Sequence, residues 1–136
     1  MANILYSNAR QLFLTAKLDW VGDPSYKVML INTQNYQPKA DDDKVLADIP
    51  ANARVTVGMP LVSRAGVAGA ADADDVTFAG VSGSNVGALV IYRDNGSDSA
   101  SELIAFIDTA TGLPITPNGG DIIVVWDNGV NKIFRL

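Results

Sequence analysis

The side chains able to do chemistry are few and mostly of one kind. Asp41-Asp42-Asp43 and Asp72, Asp74 and Asp75 form two acidic runs, and because Glu102 is the one Glu among fifteen acidic residues, the other fourteen are Asp. Two carboxylates whose pKa values are held apart can act as acid and base, as in glycoside hydrolysis. Both runs, however, lie in soft stretches rich in Ala or Lys, without nearby aromatic residues to desolvate a carboxylate or hold a sugar ring. Calcium takes oxygen ligands from flexible loops, but Asp72-Ala73-Asp74-Asp75 lacks the spacing, the turn glycine and the bidentate Glu of an EF-hand loop. Solvated acidic loops are the simpler expectation, and no metal site is assigned.

Nucleophiles fare no better. Gly80-Val81-Ser82-Gly83-Ser84 comes within one residue of the Gly-x-Ser-x-Gly elbow, yet the chain contains no His to serve as base and no Cys. That excludes a serine hydrolase of the usual kind, a thiolate nucleophile, a disulfide and a thiolate metal site. Absence of His also removes the commonest general base near neutral pH and the commonest transition-metal ligand. Neither a P-loop nor a dinucleotide fingerprint occurs, since the glycines fall in turn-like stretches. No catalytic or cofactor-binding residue is assigned, and the chain reads as a non-enzyme.

Ten Lys plus Arg against fifteen acidic residues leave a net charge of −5, with the basic residues scattered singly. Such a surface repels a phosphate backbone, so nucleic acid is not an expected partner. No apolar run approaches the roughly 18 residues of a membrane span, and MANILYSNAR lacks the cationic start and apolar block of a secretory signal. Neither membrane insertion nor export is expected.

The elements that carry these residues read as strands and turns. An apolar fraction of 48% over 136 residues is that of one folded domain, taken as residues 1–136. Asp favours turns where Glu favours helix surfaces, and 12 Gly and 6 Pro add to the turn count. Ile122 to Trp126 and Lys132 to Leu136 flank Asp127-Asn128-Gly129-Val130, which predicts a hairpin with an Asn-Gly turn. Leu89 to Tyr92 and Leu103 to Ile107 flank Asp94-Asn95-Gly96, predicting a second hairpin with a mobile Ser-rich tip over Ser97 to Ser101. These strands are apolar on both faces, which suits packing on two sides. Thr109 to Gly120, with its two prolines, is a crossing between sheets. Further strands are predicted at Tyr26 to Asn32, Arg54 to Gly58, Leu61 to Ser63 and Val76 to Val81. A flexible surface loop is expected over Ala65 to Asp75, and a single helical turn near Asp48 to Ala51. Gln11 to Trp20 fits either period: Leu12, Leu14, Ala16, Leu18 and Trp20 alternate as a strand, while Ala9, Leu12, Phe13 and Ala16 form a helical stripe that Ser7 or Asn8 could cap. The fold class that follows is all-β, a β-sandwich or jelly roll of about eight antiparallel strands.

Several segments resemble one family. Ala9, Arg10, Phe13 and Leu14 in the order Ala-Arg-x-x-Phe-Leu come first, followed by Lys27-Val28-Met29-Leu30-Ile31, Asp48-Ile49-Pro50, Ala53-Arg54-Val55 and Asp75-Val76-Thr77-Phe78. Leu103-Ile104-Ala105 with Ile107-Asp108, Thr111-Gly112-Leu113-Pro114, Thr116 to Ile122, and Ile133-Phe134-Arg135-Leu136 complete the set. Nearly end to end, the chain is similar to small virion proteins of tailed phages, among them the jelly-roll cement proteins of Bordetella-type short-tailed phages. The resemblance implies a short helix over Ala9 to Thr15 and a decoration protein on the capsid exterior, assembled in the bacterial host cytoplasm. Its partner would be the major capsid protein, and it implies no cofactor and no catalytic residue. A homo-oligomer suits such a staple, a dimer before a trimer, because each added foothold acts at high effective concentration. Candidate sticky surfaces are Ile4-Leu5-Tyr6, Ile133 to Leu136, Tyr36 to Lys39 and Leu113 to Pro117. The alternatives are a carbohydrate-binding sandwich, with Trp20, Trp126, Tyr6, Tyr26, Tyr36 and Tyr92 as a platform, or a neck or tail subunit.

Overall fold

The computed structural model describes residues 3–23, 25–109, 112–126 and 132–135. Its centre is a five-stranded antiparallel sheet in the order β1-β8-β7-β2-β3. The strands are β1 (Ile4–Leu5), β2 (Tyr26–Ile31), β3 (Met59–Pro60), β7 (Ala88–Arg93) and β8 (Glu102–Ile107). β2, β7 and β8 are buried along nearly their whole length, so this sheet is covered on both faces, as the unbroken apolar runs imply. The predicted hairpin of β7 and β8 forms, with Leu89 opposite Ile107 and a bulge where the register shifts between Ile91 and Tyr92.

Because side chains alternate across a strand, Tyr26, Val28, Leu30, Leu89 and Ile91 share one face, and Met29, Ile31, Val90 and Phe106 share the other. Two smaller sheets meet the first face. β6 (Val76–Phe78) pairs with β9 (Ile122–Val124), whose Ile122 and Val124 line a common cavity wall with Leu30 and Leu89. β4 (Ala65–Val67), β5 (Ala70–Asp72) and β10 (Phe134–Arg135) form the other sheet, in the order β10-β5-β4. It joins the core through Phe134, which packs edge-on against Trp20, which in turn packs on Tyr26. On the second face, Tyr36 meets Phe106 at 6.2 Å between ring centres, and Leu46, from a 3-10 turn over Leu46–Asp48, shares a cavity wall with Met29. The buried side chains make one continuous core.

The fold class expected from the sequence holds, a mainly β sandwich, with one short helix and ten strands in three sheets among the described residues. Several local expectations do not. β9 and β10 do not pair with each other among the described residues, because β9 takes β6 as its partner and β10 takes β5. The Asp127 to Val130 turn lies outside the described residues. Nor is β9 apolar on two buried faces: Ile122 and Val124 point inward while Ile123 and Val125 are exposed. Ala65 to Asp75 is a strand pair, β4 and β5, with Ala70 and Ala71 buried. Its two-residue turn has Ala68 at φ 52 and Gly69 at φ 83, the positive pair of a type I′ turn. Arg54 to Gly58 and Leu61 to Ser63 are not strands; β3 lies between them, and Arg54 makes a single bridge to Ile31.

Gln11 to Trp20 is not a strand. A helix, α1, runs over Ser7–Leu14 and buries Ala9. Neither Ser7 nor Asn8 caps it: the position before the helix is Tyr6, without a side-chain cap, and the Ser7 hydroxyl instead bonds the Asp41 carboxylate. The helix ends where Lys17 N–H bonds the Leu12 carbonyl and Ala16 N–H that of Phe13, with Ala16 at φ 59 in the position glycine usually takes. The Ser97 to Ser101 tip is tied down, since buried Ser101 accepts from Asn95 N–H and donates to the Ser97 carbonyl.

Candidate functional site

Parts of both acidic runs bond within the fold. Asp43 accepts from the Tyr36 hydroxyl at 2.8 Å and from Lys39 N–H at 3.0 Å, while Asp41 accepts from Ser7. Asp75 accepts from Trp126 N–H, and the Asp74 carbonyl accepts from the Trp126 indole. The Trp20 indole N–H is shared between the carbonyls of Ala65 and Asp72, which face each other across β4 and β5, so it clips the open end of that hairpin. These two indoles are why a tract of Ala, Gly and Asp is ordered. Among the described residues no group of three or more potential ligands lies close enough to hold a metal ion.

The six Trp and Tyr residues, proposed above as a sugar platform, are all buried, each 8% exposed or less. None presents a ring face to solvent, because the sandwich uses them to fill the space between its layers. Tyr36 donates to Asp43, so in the 2.7 Å contact between Tyr6 and Tyr36 the proton comes from Tyr6. Burial raises the pKa of Tyr6, Tyr26, Tyr36 and Tyr92 above the ordinary tyrosine value; near Tyr36 the Tyr6 bond and Asp43 push the same way.

Arginines act as internal clamps. Arg93 grips Glu102 with two nitrogens at 2.8 and 3.0 Å and reaches Asp23 and the Lys17 carbonyl, an arrangement that raises its pKa through the Glu102 bond first. Arg64 bonds the carbonyls of Trp20, Leu61 and Asp23 and lies over the Tyr26 ring. Arg54 bonds the carbonyls of Leu46 and Ile49 and pairs with Asp98. Lys27 pairs with Asp94 at 2.8 Å, and that bond, with Gly96 N–H, holds the Asp94 carboxyl below the usual range.

What remains for a partner is surface. Gly80 to Ser84 is a turn in which Ser82, Gly83 and Ser84 are exposed and Gly80 N–H bonds Asp121. Of the predicted sticky segments, Tyr36 is core and Ile115 bridges to Val86, so Tyr36 to Lys39 and Leu113 to Pro117 offer little continuous apolar area. The two termini come together. Leu5, Arg10, Phe13, Leu14 and Arg135 line an open groove of about 430 Å³, continuous through Leu5, Arg10 and Arg135 with a second hollow beside Ile4, Ile133 and Phe134. Leu14 is 82% exposed on its rim. Sequence reasoning named both ends as sticky but not their meeting, which depends on Phe13 and Phe134 facing each other at 6.4 Å. It also missed isolated Val57, Val62 and Val67, which no periodic pattern marks as exposed.

Fold and surface together define an all-β sandwich whose ionisable groups mainly serve its own architecture. No protein-family model matches the chain, and no curated protein sequence matches it. Among the described residues no helix is long and apolar enough to cross a membrane.

Proposed function

We propose that the chain is a structural virion protein of a tailed phage, a cement or decoration subunit on the capsid exterior that ties neighbouring major capsid subunits together. One observation carries the reading: three arginines, several carboxylates and every Trp and Tyr are committed inside the domain, while apolar side chains stand outside it. Asp43, Asp75, Glu102, Arg54, Arg64, Arg93 and every Trp and Tyr hold the sandwich together. Leu14, Val57, Val62, Val67, Ile123 and Val125 are open to solvent. A stapling protein needs a stiff body and contact area, with no turnover. The resemblance of Ala9 to Leu14 through Ile133 to Leu136 to small phage virion proteins supplies the setting. A homodimer, before a trimer, is the form in which such a staple gains avidity.

The test is to express the chain beside the major capsid protein of its own phage, purify the shells, and locate and count the added density by cryo-electron microscopy. Saturable, symmetric occupancy of the outer surface is the expected result. Shells that never carry the protein, or its confinement to necks and tails, would refute the capsid reading. Burial of all six rings weighs against the carbohydrate-binding alternative.

A further inference from the structure

We infer that the groove between β1, α1 and β10 is a binding site for an extended, acidic and apolar peptide segment of a partner protein. The inference is independent of the capsid reading, because three features of the groove itself define the occupant.

The first is an open strand edge. Tyr6 N–H, just after β1, donates to the Ile104 carbonyl, so Tyr6 and, two residues back, Ile4 stand in the positions that exchange hydrogen bonds with β8. Leu5, opposite Ala105, is therefore in the non-bonded register and directs its N–H and C=O away from the sheet. Neither group has a partner among the described residues. β1 is also the outermost strand of the five, and a strand edge of this kind is a template for an incoming extended chain.

The second is charge. The protein carries a net charge of −5, and Arg54, Arg64 and Arg93 are each saturated by carboxylates or carbonyls within the fold. Arg10 differs: it is exposed on the groove wall, and no carboxylate among the described residues lies within salt-bridge distance of it. Arg135 lines the same wall. An occupant bearing carboxylates supplies what Arg10 lacks, through a charge-assisted hydrogen bond made within the groove.

The third is the floor. Leu5, Phe13 and Leu14 present apolar surface beside that edge, so alternate side chains of an added strand meet it while the intervening ones turn away. Edge, cation and floor together select an extended segment that alternates apolar and acidic residues.

The probe is an acetylated, amidated eight-residue peptide of alternating Asp and Leu, titrated into isotopically labelled protein and followed by amide NMR shifts and hydrogen exchange. Expected are saturable shifts confined to Asn3 to Leu14 and Ile133 to Arg135, and slowed exchange of the Leu5 amide. Arg10→Glu and Leu14→Ser, both at exposed positions, should each weaken binding at least tenfold. A version of the peptide methylated at its backbone nitrogens should bind at least tenfold more weakly to the unaltered protein, a comparison that needs no variant. The inference is overturned by an absence of saturable shifts, by equal binding of the Lys and Leu counterpart, or by indifference to Arg10→Glu. Concentration-dependent shifts of the same amides without peptide would likewise overturn it, by making a second copy of the chain the occupant.

Discussion

Raising the pH tests the packing of the whole sandwich through its tyrosines. All four, Tyr6, Tyr26, Tyr36 and Tyr92, are 5% exposed or less, and burial raises the pKa of each above the ordinary tyrosine value. Tyr26 has no hydrogen-bond partner for its hydroxyl among the described residues, and Asp23 nearby opposes a phenolate further. A folded pKa above the unfolded one means that the stabilisation is complete below the unfolded value, near pH 10, and is lost as pH climbs from there towards the folded values. Each native tyrosine kept neutral costs somewhat over 1 kcal/mol per pH unit in that range, so Tyr6, Tyr26 and Tyr36, whose pKa values rise furthest, together cost about 4 kcal/mol per unit. Against a total stability of about 5 to 15 kcal/mol, a loss of this size should unfold the domain cooperatively above about pH 11. Tyrosinate absorbance and far-ultraviolet circular dichroism, recorded on the same samples, should change together in one steep transition. A shallow rise in tyrosinate absorbance centred near pH 10, with the circular dichroism unchanged, would refute the reasoning, since it would mean that native rings ionise freely.

Three further outcomes follow from particular contacts. A Cβ at Gly58 would lie 1.9 Å from the Tyr92 hydroxyl, so Gly58→Ala should displace a buried ring and lower stability by about 1 to 3 kcal/mol in urea titrations. Arg93→Met strands Glu102 and Asp23 and should cost about 2 kcal/mol, with Arg93→Lys restoring less than half because a single ammonium cannot make the two-nitrogen grip. Ala16→Gly should raise stability by about 1 kcal/mol, since Ala16 sits at φ 59 at the end of α1; an unchanged midpoint of unfolding would deny that strain.

Legibility in the sequence followed the range of the interaction. The β7 and β8 hairpin was readable because apolar runs and an Asp-Asn-Gly turn are neighbours in the chain, and β2 because Val28 to Ile31 is too apolar to lie anywhere but inside. Partner choice was not readable: β-branched residues declare a strand, but nothing in Ile122 to Trp126 states that β6, some 45 residues earlier, is its mate. The tract over Ala65 to Asp75 reads as a flexible surface loop because its strands carry Ala where Val or Ile is usual, and the indoles that clip it, Trp20 and Trp126, are remote in sequence. Only Ala68-Gly69, a two-residue turn, signalled it locally. For the groove, composition marked both termini as apolar, while the open edge at Leu5 follows from the register of β1 and cannot be seen before that register is known.

The pairing of Ile4 with Phe106 bears on how the protein is made. These residues are 102 positions apart, so at a synthesis rate of roughly 5 to 20 residues per second the first strand emerges some 5 to 20 seconds before its mate exists. Phe13 waits longer still for Phe134. Throughout that interval the nascent chain holds β2 without β7, and then β7 without β8, with their apolar faces bare. An interrupted translation product that ends before β8 leaves β1 without a mate and β7 with one bare edge, which makes it a substrate for chaperones and proteases.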